Sequence, residues 1–396
     1  MPESSLSSLS LTNFRNYSHA ELAFSGSPVL LIGSNGAGKT NILEALSLFS
    51  PGRGLRRASL GEMQHQSSIS SLPGLSGQSM DYPHKAGNDK TNKWSVSILL
   101  QRDGHSSRIG TGLEITEGGM ERRLLRIDGQ AERAQVRLLD YLSILWVTPA
   151  MGQMFSEGNT VRRRFLDRLV YGFDPEHAGR IAAYEHHTRE RSRLLSQPFP
   201  DPAWLSTLEQ KMAEYSVAIA AARRAAVDHL ALSLAETHGS FPAAQLVVKG
   251  VAEEALEAGQ GALAIEEEIA LRLASSRGMD AHTGRASAGA HKTKLEVWLM
   301  EKRTEAAQCS TGEQKALLLS ILLAQARASL QWRGFPPILL LDEVVAHLDA
   351  SRRAELFHEL RGLGVQAFLT GTDAADFSAA GEDAQVIRVE EGRIVV

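Results

Sequence analysis

"PVLLIGSNGAGKTNILEALSLFS", residues 28–50, decides the fold. It opens with an unbroken apolar run over 28–33, the pattern of a strand buried on both faces. A glycine-rich turn follows, then apolar residues at helical spacing: Ile42, Leu43, Leu46 and Phe49. Strand, turn and helix in that order are the setting of a phosphate-binding loop. "GSNGAGKT" at 33–40 fits G-x-x-x-x-G-K-[ST] at every position. In such a loop the backbone of Gly33, Ser34, Asn35, Gly36, Ala37 and Gly38 turns successive N–H groups toward phosphate oxygens. Lys39 reaches the β- and γ-phosphates and has a catalytic part, and the Thr40 hydroxyl ligates Mg²⁺. ATP and Mg²⁺ are the expected cofactors.

Two further segments carry chemistry. "ILLLDE" at 338–343 is a second fully apolar strand that ends in two acids. Beside a phosphate-binding loop, Asp342 is the expected Mg²⁺ residue and Glu343 the expected catalytic carboxylate that polarises an attacking water. "CSTGEQKALLLSILLAQ" at 309–325 is a polar turn opening an apolar helix. Ser310 and Thr311 can cap it, Gly312 allows close approach, and Glu313 lies in its first turn. A helix start of this kind presents free N–H groups to an anion, yet the chain already has its phosphate loop. "AHLD" at 346–349 offers Asp349, and "FLTGTD" at 368–373 puts Thr370 and Thr372 at a third strand end, either facing a γ-phosphate or serving β-propensity alone.

The whole chain bounds these readings. Its 396 residues suggest two or three domains, and 22% charged with 43% apolar residues is ordinary for a soluble globular protein. The longest apolar run, around Ala316–Ala324, is too short to span a bilayer. The first residues lack the pattern of a signal peptide. Cys309 is the only cysteine, which excludes a disulfide framework and a cysteine zinc site and fits a reducing cytoplasm. A net charge of −4 argues against a wholesale nucleic-acid coat but leaves room for a local basic patch. Two candidates for such a patch are Arg53, Arg56 and Arg57 after the phosphate loop, and Arg162, Arg163 and Arg164 at a helix start. Their alternatives are ion pairs with Asp167 or solvated faces.

Strands are expected at 6–24 around the turn "NFRNY", and in "WSVSILLQR", "RIGTGLEIT", "RRLLRIDGQ", "AQLVVKG", "VQAFLTGT" and the final "QVIRVEEGRIVV". Residues 64–93 read as a mobile surface loop. From about Gly158 to His238 the pattern is helical, broken once by "SQPFPDP" at 196–202. The expected fold is therefore α/β: an ATPase head in two parts, 1–157 and 241–396, with a helical arm or lid inserted at 158–240.

In that order the phosphate loop, "STGEQ", "LLLDE" and "HLD" resemble the ATP-binding-cassette ATPases. "LTNFRNY", "LIGSNGAGKTNILEAL", "GRGLRR", "RRRFLDRLVYGFDPEH", "GAHKTKL" and "CSTGEQKALLLSILLAQ" together resemble the bacterial RecF family of DNA replication and repair proteins, from Leu11 to about Thr372. The resemblance implies two heads facing head to tail, each signature helix capping the γ-phosphate held by the other. Ser310, Gly312 and Gln314 would then act in trans, with Asp349 at the seam, in an ATP-dependent homodimer. It also implies double-stranded or gapped DNA, the mediators RecR and RecO, RecA loading, and weak, DNA-stimulated ATP hydrolysis. The segment "GAHKTKL" departs from the Gly-Pro-His-Arg common in the family, and "VTPAMGQMF" departs from its phenylalanine-serine-proline segment, so no role is carried onto either. A transporter ATPase subunit fits poorly, because its corresponding motifs lie much closer together than Lys39 and Ser310. A long coiled-coil chromosome protein fits poorly because the helical block is short and broken by proline.

Overall fold

In the computed structural model the described residues are 4–25, 28–65, 93–116, 119–235 and 239–395. Most of the loop expected at 64–93 lies outside them. The chain begins with β1 (Ser4–Phe14) and β2 (Tyr17–Ala23), then β3 (Val29–Ile32) and α1 (Lys39–Ser47). Next come β4 (Ser95–Arg102), β5 (His105–Ile115), β6 (Glu121–Ile127), β7 (Gln130–Glu132) and β8 (Ile144–Val147). Helices α2 (Asn159–Val170), α3 (His177–Leu195) and α4 (Pro202–Ala235) follow, then β9 (Ala244–Lys249), α5 (Val251–Glu257), α6 (Ala262–Ser275) and α7 (Arg277–Thr283). The chain closes with β10 (Lys294–Leu299), β11 (Thr304–Glu305), α8 (Thr311–Arg333), β12 (Ile338–Leu341), α9 (Ala350–Gly362), β13 (Ala367–Gly371), β14 (Gln385–Glu390) and β15 (Arg393–Val395).

Among the described residues these strands form three sheets. The first, in the order β2-β1-β4-β5-β6-β7, is antiparallel throughout. Its strands alternate: Leu9 and Leu11 point into the core, while Ser8, Ser10 and Thr12 face outward. Two of its hairpins turn on Asp103-Gly104 and Asp128-Gly129, and in each turn both residues have positive φ. That backbone matches the twist of the flanking strands, which is why Asp-Gly serves there. A small sheet, β11-β10-β9, packs against α2 through β10 and against α4 and α8 through β9.

The sheet that carries the motifs runs β15-β14-β3-β13-β12-β8 and is parallel apart from β15. All residues of β3, β8, β12 and β13 are buried, as a strand covered on both faces requires. Sequence reasoning did not find β8. Ile144, Leu145, Trp146 and Val147 are only four apolar residues ahead of Pro149, and a run that short carries no period; its parallel pairing with β12 makes it a strand. Helix α8 is buried nearly all round, from Ala316 to Ala328. The Ser310/Glu313 capping box starts it, and Gly334 at φ 76° stops it.

The helical block is broken twice rather than once. Besides 196–202, the chain leaves α2 at Tyr171–Glu176, where Gly172 and Pro175 both disfavour continuation. A second core gathers Tyr184, Met212, Val217 and Ile219 with Ile265, Ile269, Leu273 and Ala288. It does not stop at residue 240, because the apolar stripe of α6, spaced by four, covers the face that α3 and α4 leave open. The far end of α4, at Leu230 and Leu234, belongs to the main core instead. Buried ions join these layers: Arg191 of α3 bonds Glu209 of α4 at 3.0 Å and Asp280 of α7 at 2.8 Å.

Candidate nucleotide site

The strand end of β3 and the start of α1 hold the phosphate loop from two sides. A Cβ on Gly33 would sit 2.1 Å from the Val389 carbonyl oxygen, so no larger residue fits against β14. Gly38 has φ 118°, and a Cβ there would meet Asn16 Nδ2 at 2.5 Å and the Tyr17 hydroxyl at 2.6 Å. Those neighbours grip the loop from behind. Asn16 Nδ2 donates to the Ala37 carbonyl (3.1 Å), Tyr17 OH donates to the Gly38 carbonyl (3.1 Å), and Asn41 Nδ2 donates to Asn16 Oδ1 (2.7 Å). Behind α1, Arg15 makes a bidentate pair with the fully buried Glu44, at 2.6 and 2.8 Å, and Arg56 adds a third contact at 3.1 Å. Arg15, Asn16, Tyr17, Asn41 and Glu44 were not among the expected site residues. The polar stretch "NFRNY" was a signal for them, since an isolated hairpin has no use for it.

Lys39 is buried and folds back to donate to the carbonyls of Gly33 (2.7 Å) and Ser34 (2.8 Å). Burial pulls its pKa down, while the nearby charges of Glu343 and Asp342 pull it up. Asp342, at the end of β12, accepts hydrogen bonds at one oxygen from the hydroxyls of Thr40 (3.0 Å) and Thr370 (2.8 Å). Burial raises its pKa and the two hydroxyls oppose that shift. Thr370 also accepts the Glu343 N–H at 2.8 Å. Its hydroxyl thus locks both acids, a duty that neither expectation for it included. Glu343 has φ 52°, an uncommon conformation for a residue with a side chain, held here by that bond.

The oxygens of Thr40 and Asp342 fit Mg²⁺, which is usually held by one or two carboxylates together with substrate phosphates. Among the described residues, no group of three or more His, Cys, Asp or Glu could hold a metal by itself. An open cleft of about 920 Å³ adjoins the loop, lined in part by Gly33, Ser34, Thr372, Asp373, Arg388 and Arg393.

The signature turn stands apart from this cluster. Among the described residues, no hydrogen bond joins 310–314 to 33–40. The Ser310 hydroxyl donates to Glu313 (2.8 Å) and accepts the Glu313 N–H (3.3 Å). A Cβ on Gly312 would meet nothing within 4 Å, so this chain by itself does not require glycine there. Gln314 is turned inward and donates to Ser156 (3.1 Å) and to the Cys309 carbonyl (3.0 Å). Asp349 is exposed and caps α9 by accepting the Arg352 N–H at 2.9 Å. Gln153 lines a shallow pocket with Thr311 and Lys315.

The arginine clusters divide. Arg162 donates to the Phe155 carbonyl and Arg163 to the Thr293 carbonyl, so both are committed to the fold. Arg164 is exposed, as are Arg53 and Arg57, whereas Arg56 serves Asn41 and Glu44. The alternative, ion pairs of these arginines with Asp167, does not form among the described residues. Asp167 instead meets Arg223 at 2.8 Å and His177 at 2.9 Å.

Residues 5–395 match the family model described as the RecF/RecN/SMC N terminal domain. Over 388 residues, 98% of this chain, it is 42% identical to the DNA replication and repair protein RecF of Allorhizobium ampelinum, covering 97% of that protein. It is 43% identical over 394 residues to RecF of Rhizobium johnstonii, covering 98% of each. The chain belongs to the RecF family. A solved RecF–ATP structure, described as a recombination mediator in the RecFOR pathway, shares the fold with a TM-score of 0.78. At 20% identity it spans all of this chain and 99% of its own. No helix among the described residues is long and apolar enough to cross a membrane.

Proposed function

We propose that this RecF-family chain is an ATP-dependent DNA-binding protein of replication and recombinational repair. In this reading it closes into a homodimer when ATP is bound. The observation that carries it is the separation of the two halves of the site. The loop, Asp342 and Glu343 are joined by hydrogen bonds, while the signature turn reaches none of the loop and has an open glycine at Gly312. A second head would complete each site, with Ser310 and Gly312 against the bound γ-phosphate and Asp349 near the seam. Gln314 would join them only by giving up its bonds to Ser156 and Cys309.

Within one head, Lys39 would exchange the carbonyls of Gly33 and Ser34 for phosphate oxygens. Thr40 and Asp342 would hold Mg²⁺, which offsets phosphate charge when bound. Glu343, its backbone N–H held by Thr370, would accept the proton of the attacking water, as a weak, DNA-stimulated ATPase acting as a switch requires. Hydrolysis would release the dimer and its DNA. The head takes in 1–157 and 241–396, and the arm 158–240, with α5–α7 packed onto it. Of the two arginine clusters, Arg53, Arg57 and Arg164 are the exposed members that would meet DNA phosphates, which need no base reading. RecR, RecO and RecA loading at gaps follow from the family relationship, and the cytoplasm is the fitting compartment.

The test is the solution mass, by light scattering, of Glu343→Gln with and without ATP·Mg²⁺ and short duplex DNA. A monomer that becomes a dimer only with ATP, and then retains DNA, is the expected result. A protein that binds ATP yet stays monomeric refutes the shared site. Glu343→Gln should also slow hydrolysis by about 10²–10⁴-fold; a rate within a few-fold of wild type removes Glu343 from the reaction.

A further inference from the structure

The signature turn carries a negative charge where a phosphate is meant to arrive. The Glu313 carboxylate accepts the Ser310 N–H at 2.9 Å and the Ser310 hydroxyl at 2.8 Å. Left alone, it would do harm in two ways. It would repel a second anion arriving at Ser310, and it would keep the single proton of the Ser310 hydroxyl to itself. Lys302, from the turn between β10 and β11, lies against its other oxygen. The lysine side chain is 64% exposed and the Glu313 side chain 25% exposed, so the pair is at the surface, beside the turn that the shared-site reading turns toward a partner head. Lys302 is the largest influence holding the Glu313 carboxyl down at about 2. An exposed pair of this kind adds little to stability, so its place beside Ser310 calls for another use. On the same helical turn, Gln314 is 4% exposed and its Oε1 has no partner.

We propose that Lys302 is a positioning residue of the signature turn: it neutralises Glu313 and stays as its donor when the Ser310 hydroxyl turns to the γ-phosphate of a partner head. This rests on the shared-site reading above. With Lys302 in place, Glu313 can give up the serine proton and keep both the Ser310 N–H and the ammonium. Without it, the carboxylate is unpaired, retains the hydroxyl and repels the phosphate. Unlike charges in the phosphate loop, Lys302 acts on association and not on nucleotide binding by its own head.

The test measures ATP·Mg²⁺-dependent dimerisation by sedimentation, in a Glu343→Gln background, for Lys302→Ala, Glu313→Gln and the double variant. Nucleotide affinity of each is measured in dilute monomer. Lys302→Ala should weaken dimerisation about tenfold, as expected for a like-charge contact near 5 Å in a partly aqueous setting. The defect should shrink with added salt. Glu313→Gln should dimerise at least as well as the parent, and adding it to Lys302→Ala should restore dimerisation. If Lys302→Ala dimerises like the parent, the pair has no role at the site. If the double variant stays as weak as Lys302→Ala, the lysine meets phosphate directly. If monomer nucleotide affinity falls in step, Lys302 supports the fold. Each of these three results overturns the proposal while leaving the shared site standing. A parent that never dimerises with ATP·Mg²⁺ overturns the shared site, and this proposal with it.

Discussion

Glu44→Gln probes the support beneath the phosphate loop. Glu44 lies on α1, its side chain is fully buried, and its oxygens take two bonds from Arg15 and one from Arg56. The amide keeps the shape but removes the charge, and it turns an N–H₂ group toward guanidinium donors. Breaking one side of a buried ion pair costs roughly 3–5 kcal/mol, because the partner's charge is left uncompensated. The low end applies here, since Arg15 keeps its bond to the Glu62 carbonyl and Arg56 is 42% exposed. At about 2.1 cal/mol/K per residue of unfolding entropy, a chain of 396 residues then loses about 4 °C in Tm. Arg15 flanks Asn16, which holds the loop, so nucleotide affinity should fall along with Tm. Arg56→Ala, by contrast, should cost under about 1 kcal/mol, as exposed pairs do. Scanning calorimetry and nucleotide titration decide the matter. A Tm within a degree of wild type would show that the pair is not the support. Lost stability with unchanged nucleotide affinity would show that Arg15 braces α1 but not the loop.

Other outcomes follow from the same geometry. Lys39→Ala should abolish tight ATP binding, and unchanged affinity in a binding titration would sink the loop assignment. Thr370→Val keeps the shape of a buried residue but strips a bond from Asp342 and leaves the Glu343 N–H unpaired. It should cost about 2–4 kcal/mol of stability and weaken Mg²⁺-dependent nucleotide binding, because the Asp342 carboxyl moves further up. A Thr370→Val protein with wild-type Mg²⁺ dependence would argue against that lock. Glu313 is held down from 4.5 to about 2. Its folded-state value lies below its unfolded one, so its contribution is present above 4.5 and is lost as pH falls toward 2. The pair is exposed, so that contribution is small. The direct check is an NMR titration of the Glu313 carboxyl, whose midpoint should lie well below 4.5 and rise in Lys302→Ala, and a midpoint at 4.5 in both proteins would contradict the shift.

Much of the site could be read along the chain because its chemistry is local. The loop needs glycines at fixed steps, and Asp342 and Glu343 sit at the end of one apolar run. What escaped reading depends on distant partners. Tyr17 gives no sign in sequence that its hydroxyl closes on Gly38, and the position of Thr370 at a strand end does not reveal that its hydroxyl bonds Asp342 and the Glu343 N–H. Ile144–Val147 become a strand only through β12. Arg162 and Arg163 look like a basic patch in one dimension, yet backbone carbonyls of 155 and 293 consume them in three. The packing of α6 against α3 and α4 was hidden for a similar reason: their shared core joins residues remote in sequence.

Helix α4 is continuous from Pro202 to Ala235, rooted by Leu230 and Leu234 in one core and by Met212 to Ala220 in the other. A rod of that length, about 50 Å at 1.5 Å per residue, is a lever with its fulcrum in the head. A tilt of about 5° at the rooted end carries the far tip about 4 Å, with no hinge along the way to absorb it. A repacking of α8, which α4 contacts, would therefore be magnified at the far end of α4.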